Sequence, residues 1–547
     1  MNNNTVTFKI KEWTRGIDWK LLIFLLLFLN VKLAVKIAAV ILAYVLRPDF
    51  RFGIHLKKSR IPLFYFLIMG IAVLNWILSG VYTDINYDLT VLTGFFFWIL
   101  CILAFQQIRV AVENNPVENI HRTIMVFFLI NAIFSFAVYL AIMWDAGSMN
   151  PYRYQGQFQK YFMGTGDYIK GVTLDTSTTN SVLNAFAVVY FLLRNQFKML
   201  LLCMAVLVLT GSNTTNLLLL GAFIFLFIFK SNKPQKSLIV ICLAILIAFL
   251  AGISPQNNTY VEGAWQKMFG KTTATHLLPA KIIPLEQRPD SSLSPAEKKQ
   301  KLAHAYLDSM YVLIHQKDFT PASAVLSPNI SLSAKPLVVK DDIHSAGFQH
   351  KNDTTVLEKN LIKFVKEKKT DLPISGTAIP RPRIPGKLIS FKQTLTYLKS
   401  HPATILTGTG IGNFSSKLAF RVTAMKIAGS YPQRFAYIND AFKKNHLDLY
   451  LYYFTNVDDL HSIANSPNST YDQLLSEYGI AGLACFVIFY IGFFTKHLKK
   501  LTYGIPLLLL MAGCFLFEYW FEQLSIVIFF ELLLLLNIKE TNPNAAA

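Results

Sequence analysis

The chain has 547 residues, of which 53% are apolar and only 15% charged, and its formal net charge is +20. Apolar runs of spanning length recur along it, which excludes a soluble globular protein and points to an all-α polytopic membrane protein. A nucleic-acid binder is excluded as well, because much of the basic surplus sits in short loops between apolar runs rather than beside aromatics in a soluble domain.

In chain order, residues 1–20 are polar and carry Lys9, Lys11, Arg15 and Lys20. Residues 21–46 are apolar but interrupted by Asn30, Lys32 and Lys36, and read as two short helices. No small-residue cleavage site follows this run, so it is expected to be retained. A basic loop with Arg47, Arg51, Lys57, Lys58 and Arg60 comes next. Apolar segments then cover 62–81, 88–108, 122–145, 181–194, 197–210, 217–229 and 237–252. A hydrophilic stretch fills 253–466, and spans at 470–494, 503–517 and 523–537 finish the chain. Basic loops alternate with acidic or neutral ones. By the positive-inside tendency this predicts about 12 transmembrane helices, with both termini cytoplasmic and 146–180, 211–216, 253–466 and 518–522 outside. The expected domains are a helical membrane block over 1–252, one large, mainly helical periplasmic loop domain over 253–466, and the last membrane helices with a cytoplasmic tail over 467–547.

Cys101, Cys203, Cys242, Cys485 and Cys514 all fall in apolar segments and read as small buried apolar residues, so no disulfide framework is expected outside. The 253–466 region has apolar periodicity over 295–316, 355–369 and 387–400, with Leu388, Phe391, Leu395 and Leu398 on one face of the third helix. Pro-rich passages such as IPRPRIPG break these helices apart. The region holds 27 Lys and Arg against 16 Asp and Glu. That surplus faces outward, where an anionic partner accounts for it.

Three short blocks carry the chemistry. PYRYQGQF (151–158) places Arg153 and Gly156 in an outer loop. HPATILTGTGIGNF (401–414) is a turn built on Gly408, Gly410 and Gly412, with Asn413 opening a helix whose free N–H groups can face an anion. It lacks the GKS/T of a phosphate-binding P-loop and the βαβ unit of a dinucleotide fingerprint. A tight docking turn is the plainer reading. NSTYDQLLSEYGIAGL (468–483) is a polar helix start running directly into an apolar span.

The second and third of these blocks resemble the paired motifs of the O-antigen ligase and O-antigen polymerase superfamily of bacterial envelope proteins, and the layout of spans is similar. The resemblance does not reach residues 255–385. It implies a multi-span protein of the cell inner membrane that moves a glycan from undecaprenyl diphosphate to a sugar hydroxyl, without cofactor. The acceptor is lipid A-core for a ligase, the favoured reading, or another lipid-linked glycan for a polymerase. The resemblance assigns the diphosphate to basic residues, here Arg153, Lys387, Arg421 and Lys417; the last two lie four apart, on one helix face. The family has an arginine where this chain has Lys387, which binds phosphate as a point charge rather than a planar fork.

The family's general-base histidine aligns with Asn468, which cannot take a proton. His461, Asp472, Glu477 and His446 are the candidates left, with His461 and Glu477 foremost; a solvated loop histidine and a structural helix glutamate are the plainer alternatives. No His, Cys, Asp or Glu spacing suits a metal, and a diphosphate held by Arg and Lys can leave without one. The rival of another class is a polysaccharide transporter or flippase, for which paired ionisable residues inside spans are expected.

Overall fold

The computed structural model describes residues 16–53, 59–79, 84–146, 150, 152, 168–253, 293, 295–315, 363–364, 385–424, 429–453, 463, 465 and 466–541. Among them all regular structure is helical. The helices are α1 (Trp19–Phe28), α2 (Leu33–Leu46), α3 (Phe64–Ser79), α4 (Ile85–Asn114), α5 (Val117–Ala146), α6 (Ser177–Leu193), α7 (Phe197–Leu209), α8 (Asn213–Phe229) and α9 (Lys233–Ala248). Then come α10 (Pro295–His315), α11 (Gly386–Ser400), α12 (Thr404–Thr407), α13 (Lys417–Arg421), α14 (Asp440–Asn445), α15 (Leu447–Tyr453) and α16 (Thr470–Cys485). A π-helical stretch (Phe486–Ile491) leads into α17 (Gly492–Thr495), followed by α18 (Gly504–Cys514), α19 (Trp520–Gln523) and α20 (Ser525–Thr541).

Among the described residues, four helices are long and apolar enough to cross a membrane: Ile85–Asn114, Val117–Asp145, Lys233–Gly252 and Thr470–Thr495. Shorter apolar helices, including α1, α2, α6, α7, α8 and α18, complete the bundle. The 21–46 stretch is two helices, but α1 has only 10 residues. At about 1.5 Å per residue that is half of a hydrocarbon core about 30 Å thick. Asp18 caps the start of α1, and Arg47 just past α2 approaches it to 3.5 Å. The pair is therefore a hairpin whose two ends lie together, while its tip at Val31 reaches Thr173.

α20 is the axis of the bundle. It is buried along nearly its whole length and packs against α4, α5, α6 and α18. Around its first turns Phe64, Trp98, Tyr490, Phe515 and Phe521 interlock, with Phe64 and Trp98 edge to face at 5.6 Å. Such geometry suits the ring quadrupoles. A carboxyl and an amine lie inside the bundle. Glu531 of α20 accepts from the Tyr65 hydroxyl, and Lys36 of α2 donates to Phe28 O at 2.8 Å and Ser525 Oγ at 2.7 Å. The sequence left Lys36 as a mere interruption and did not single out Glu531.

The helix ends sort onto two faces. On one, Asp18 meets Arg47 and Asn115, Arg60 meets Glu113, Arg194 meets Glu540 at 2.5 Å, and Lys539 donates to the carbonyls of Val112, Glu113 and Asn115 that end α4. These are the loops that the basic pattern grouped together. On the other face, Val31 donates to Thr173 O, Asn75 to Gly408 O, Asn86 to Ala436 O and Thr470 to Glu518 O. Residues 386–424 and 429–453 lie on this second face as a cap held by hydrogen bonds to α3, α4 and α16.

One sequence expectation is reversed in the cap. α11 turns Gly386, Ser390, Thr394 and Leu398 inward. Leu388 and Leu395, expected on its packed face, are 56% and 58% exposed. The inward face is polar because it meets the polar start of α16, where Asp472 accepts from Ser390.

Candidate functional site

The cap is built where the two sequence blocks meet. α16 is not one straight helix. Gly479 sits at φ 67°, ψ −167°, so the helix breaks there. The break leaves the carbonyls of Ser476 and Glu477 without their usual intrahelical donors. The Gly-rich turn supplies them: Thr409 N reaches Ser476 O at 2.9 Å and Gly410 N reaches Glu477 O at 3.0 Å. Gly408, Gly410 and Gly412 all have positive φ, and side chains of Asn75, Tyr87 and Thr90 crowd the last two. Asn413 closes the turn, donating to Thr409 O at 2.7 Å and to Tyr87 at 3.0 Å and accepting from Tyr437.

The acceptors at this turn are the protein's own carboxyl groups. Glu477 Oε1 accepts from Phe414 N at 3.2 Å, and Glu522 Oε2 accepts from Leu418 N at 2.9 Å. Ser416 caps Ala419. N–H groups expected to face a ligand around Asn413 and α13 are thus taken by carboxyl oxygens of α16 and α19. Glu477, proposed from the sequence as catalytic, is 1% exposed and acts as a strut between the blocks.

Lys417 and Arg421 are the ends of α13, both part-exposed, and both lie within electrostatic range of Glu522. Glu522 also accepts from Gln473 at 2.6 Å. Burial pushes its carboxyl up to about 8, with Glu477 adding to the rise and Arg421 opposing it. Neither Glu522 nor its neighbour Glu518 was legible as a site residue, since both lie in a short loop between spans.

Lys387 opens α11 and is half-buried. Its Nζ donates to Asn468 O at 2.5 Å and to Ser466 O and Oγ, both at 3.2 Å. Its donors are directed at protein acceptors, which does not suit the phosphate-clamp role expected of it. Asn468 in turn donates from Nδ2 to Glu518 Oε1 at 3.0 Å. Two sequence-predicted residues, Lys387 and Asn468, are therefore in direct contact. Arg153 and His461 lie outside the described residues.

Beneath α11 runs a buried polar chain. Asp472 accepts from Ser390 and, at 3.0 Å, from Ser415. Ser415 meets Tyr519 at 3.1 Å, and Tyr519 meets Tyr450 at 2.6 Å. His446 places Nε2 3.5 Å from Ser390 and Nδ1 3.2 Å from Gln393. Burial lowers the His446 pKa to about 3, so the ring is neutral at physiological pH. Among the described residues no group of three or more His, Cys, Asp or Glu side chains is placed to hold a metal ion.

Fold and site together define, among the described residues, an all-helical architecture with membrane-length apolar helices and a polar helical cap docked on one face. No family model matches this chain, and neither the curated proteins nor the solved structures contain a match to it.

Proposed function

We propose that this protein is a glycosyltransferase of the bacterial inner membrane that moves a glycan from undecaprenyl diphosphate to a sugar hydroxyl, in the manner of an O-antigen ligase. In this reading about 12 helices span the membrane, the cap is periplasmic and both termini are cytoplasmic. The observation that carries it is the meeting of the two blocks: GTGIGNF and SEYGIAG, far apart in sequence, interlock through the Thr409 and Gly410 amides at one point of the cap. Lys417 and Arg421 flank that point and supply the positive charge that a diphosphate leaving group needs, alongside Arg153. Lipid A-core is the acceptor for a ligase. A polymerase would instead extend a second lipid-linked glycan.

The test is the glycan profile of a deletion strain. Loss of glycan-capped lipopolysaccharide with build-up of the lipid-linked glycan supports a ligase, and loss of chain length with single units still attached supports a polymerase. An unchanged profile contradicts both.

A transporter reading draws on Lys36 and Glu531, ionisable groups buried inside the bundle. It predicts that a deletion strain traps the lipid-linked glycan on the cytoplasmic side, whereas a transferase leaves it on the periplasmic side.

A further inference from the structure

Lys387 and Asn468 are positions where this chain departs from the motif pattern it resembles, and they touch. A side-chain amide at 468 cannot accept a proton from a hydroxyl. A guanidinium at 387 could not either, whereas a lysine amine can once it is neutral. The acceptors around Lys387 Nζ suit both of its protonation states. An ammonium has three donors, and Asn468 O, Ser466 O and Ser466 Oγ take them. A neutral amine has two donors and a lone pair. The two carbonyls then hold the N–H groups, and the Ser466 hydroxyl turns to donate to the lone pair. No heavy atom has to move for the group to gain or lose a proton.

We propose that Lys387, as the neutral amine, takes the proton of the acceptor hydroxyl during glycan transfer. The assignment rests on the transferase reading. As the hydroxyl oxygen bonds to the anomeric carbon of the donor sugar, the bond from that carbon to the phosphate oxygen breaks. Its electron pair leaves with the diphosphate, and the hydroxyl proton moves to Lys387 Nζ, directly or through Ser466. The resulting ammonium later releases the proton to water. Direct displacement inverts the anomeric centre.

The surroundings bring the neutral amine within reach at working pH. The atoms that touch Nζ are uncharged oxygens, and the Phe517 ring lies 5.7 Å away. Burial therefore lowers the Lys387 pKa to about 7, with Glu518 and Asp472 pulling it back only in part. That value lies in the range where a base is most effective near neutrality.

The experiment uses the purified full chain in nanodiscs, with Lys387→Arg beside the wild type. Undecaprenyl diphosphate is the binding probe, and transfer is followed from pH 5.5 to 9. The expected result is that the wild-type rate rises through about pH 7 to a plateau. Lys387→Arg is expected to bind undecaprenyl diphosphate within about two-fold of wild type yet to transfer at least about 100-fold more slowly. A phosphate clamp predicts the opposite, since arginine is the better fork. Lys387→Arg transfer near the wild-type rate, or a flat wild-type profile across pH 7, overturns the assignment. The wild-type profile stands even if the variant folds poorly. A wild-type protein that transfers at no pH overturns the transferase reading, and this assignment with it.

Discussion

Gly408 and Gly479 meet backbone to backbone, at φ 77° and 67°. A Cβ on Gly408 would fall on the Glu477 backbone, and one on Gly479 would fall on Leu406 O. This contact joins the Gly-rich turn to the break in α16. Gly479→Ala should therefore destabilise the protein by about 2–4 kcal/mol, from left-handed strain plus the loss of the Thr409 and Gly410 hydrogen bonds. Gly221→Ala, in a helix with open space around it, is the control and should be neutral or slightly stabilising. Chemical unfolding in detergent reads both. An unaffected Gly479→Ala would remove the interlock as a structural necessity.

His446 gives the fold a pH signature. Its folded-state pKa of about 3 lies below the usual 6.5, so between these values the unfolded chain binds the extra proton. Its contribution to stability is present above about pH 6.5 and is lost as pH falls towards 3. The advantage of wild type over His446→Gln should shrink by up to about 1.4 kcal/mol per pH unit below 6.5. A constant difference between pH 7 and 4 would show that folding does not lower the His446 pKa.

The sequence conveyed the order of the helices and the grouping of their loops, because apolar runs and loop charge depend on local composition alone. It also singled out both blocks that interlock. It did not convey the inward polar face of α11, since Ser390 and Thr394 are packed only because Asp472 lies opposite. Nor did it show that Glu477 and Glu522 fill the amides around α13, which depends on the break at Gly479 and on the short loop before α20. Lys387 reads as a surface cation until the carbonyls of Ser466 and Asn468 are placed around it.

The proposed sidedness puts the cap face in the periplasm. Lys399 is exposed on the cap and Lys499 on the opposite side of the bundle, after α17. A membrane-impermeant thiol reagent applied to spheroplasts should label Lys399→Cys and spare Lys499→Cys, in a background with exposed native thiols removed. The reverse pattern would invert the topology.

Arg421 and Arg153 are expected to hold the leaving diphosphate together. A charge-assisted contact is typically worth about 1.5–3 kcal/mol, so Arg421→Ala and Arg153→Ala should each slow transfer by roughly 10- to 100-fold. Arg421→Lys should recover only part of the rate, because a point charge replaces a fork. Steady-state rates with normal membrane insertion check this, and a fully active double variant would remove the clamp.

The decisive measurement is transfer by the purified protein in nanodiscs, in the presence of EDTA, from an undecaprenyl-diphosphate glycan to lipid A-core. The expected result is a glycan-extended lipid A-core with one undecaprenyl diphosphate released per glycan transferred. A well-folded protein that binds the donor but forms neither glycan-extended lipid A-core nor an elongated lipid-linked glycan would contradict the transferase reading.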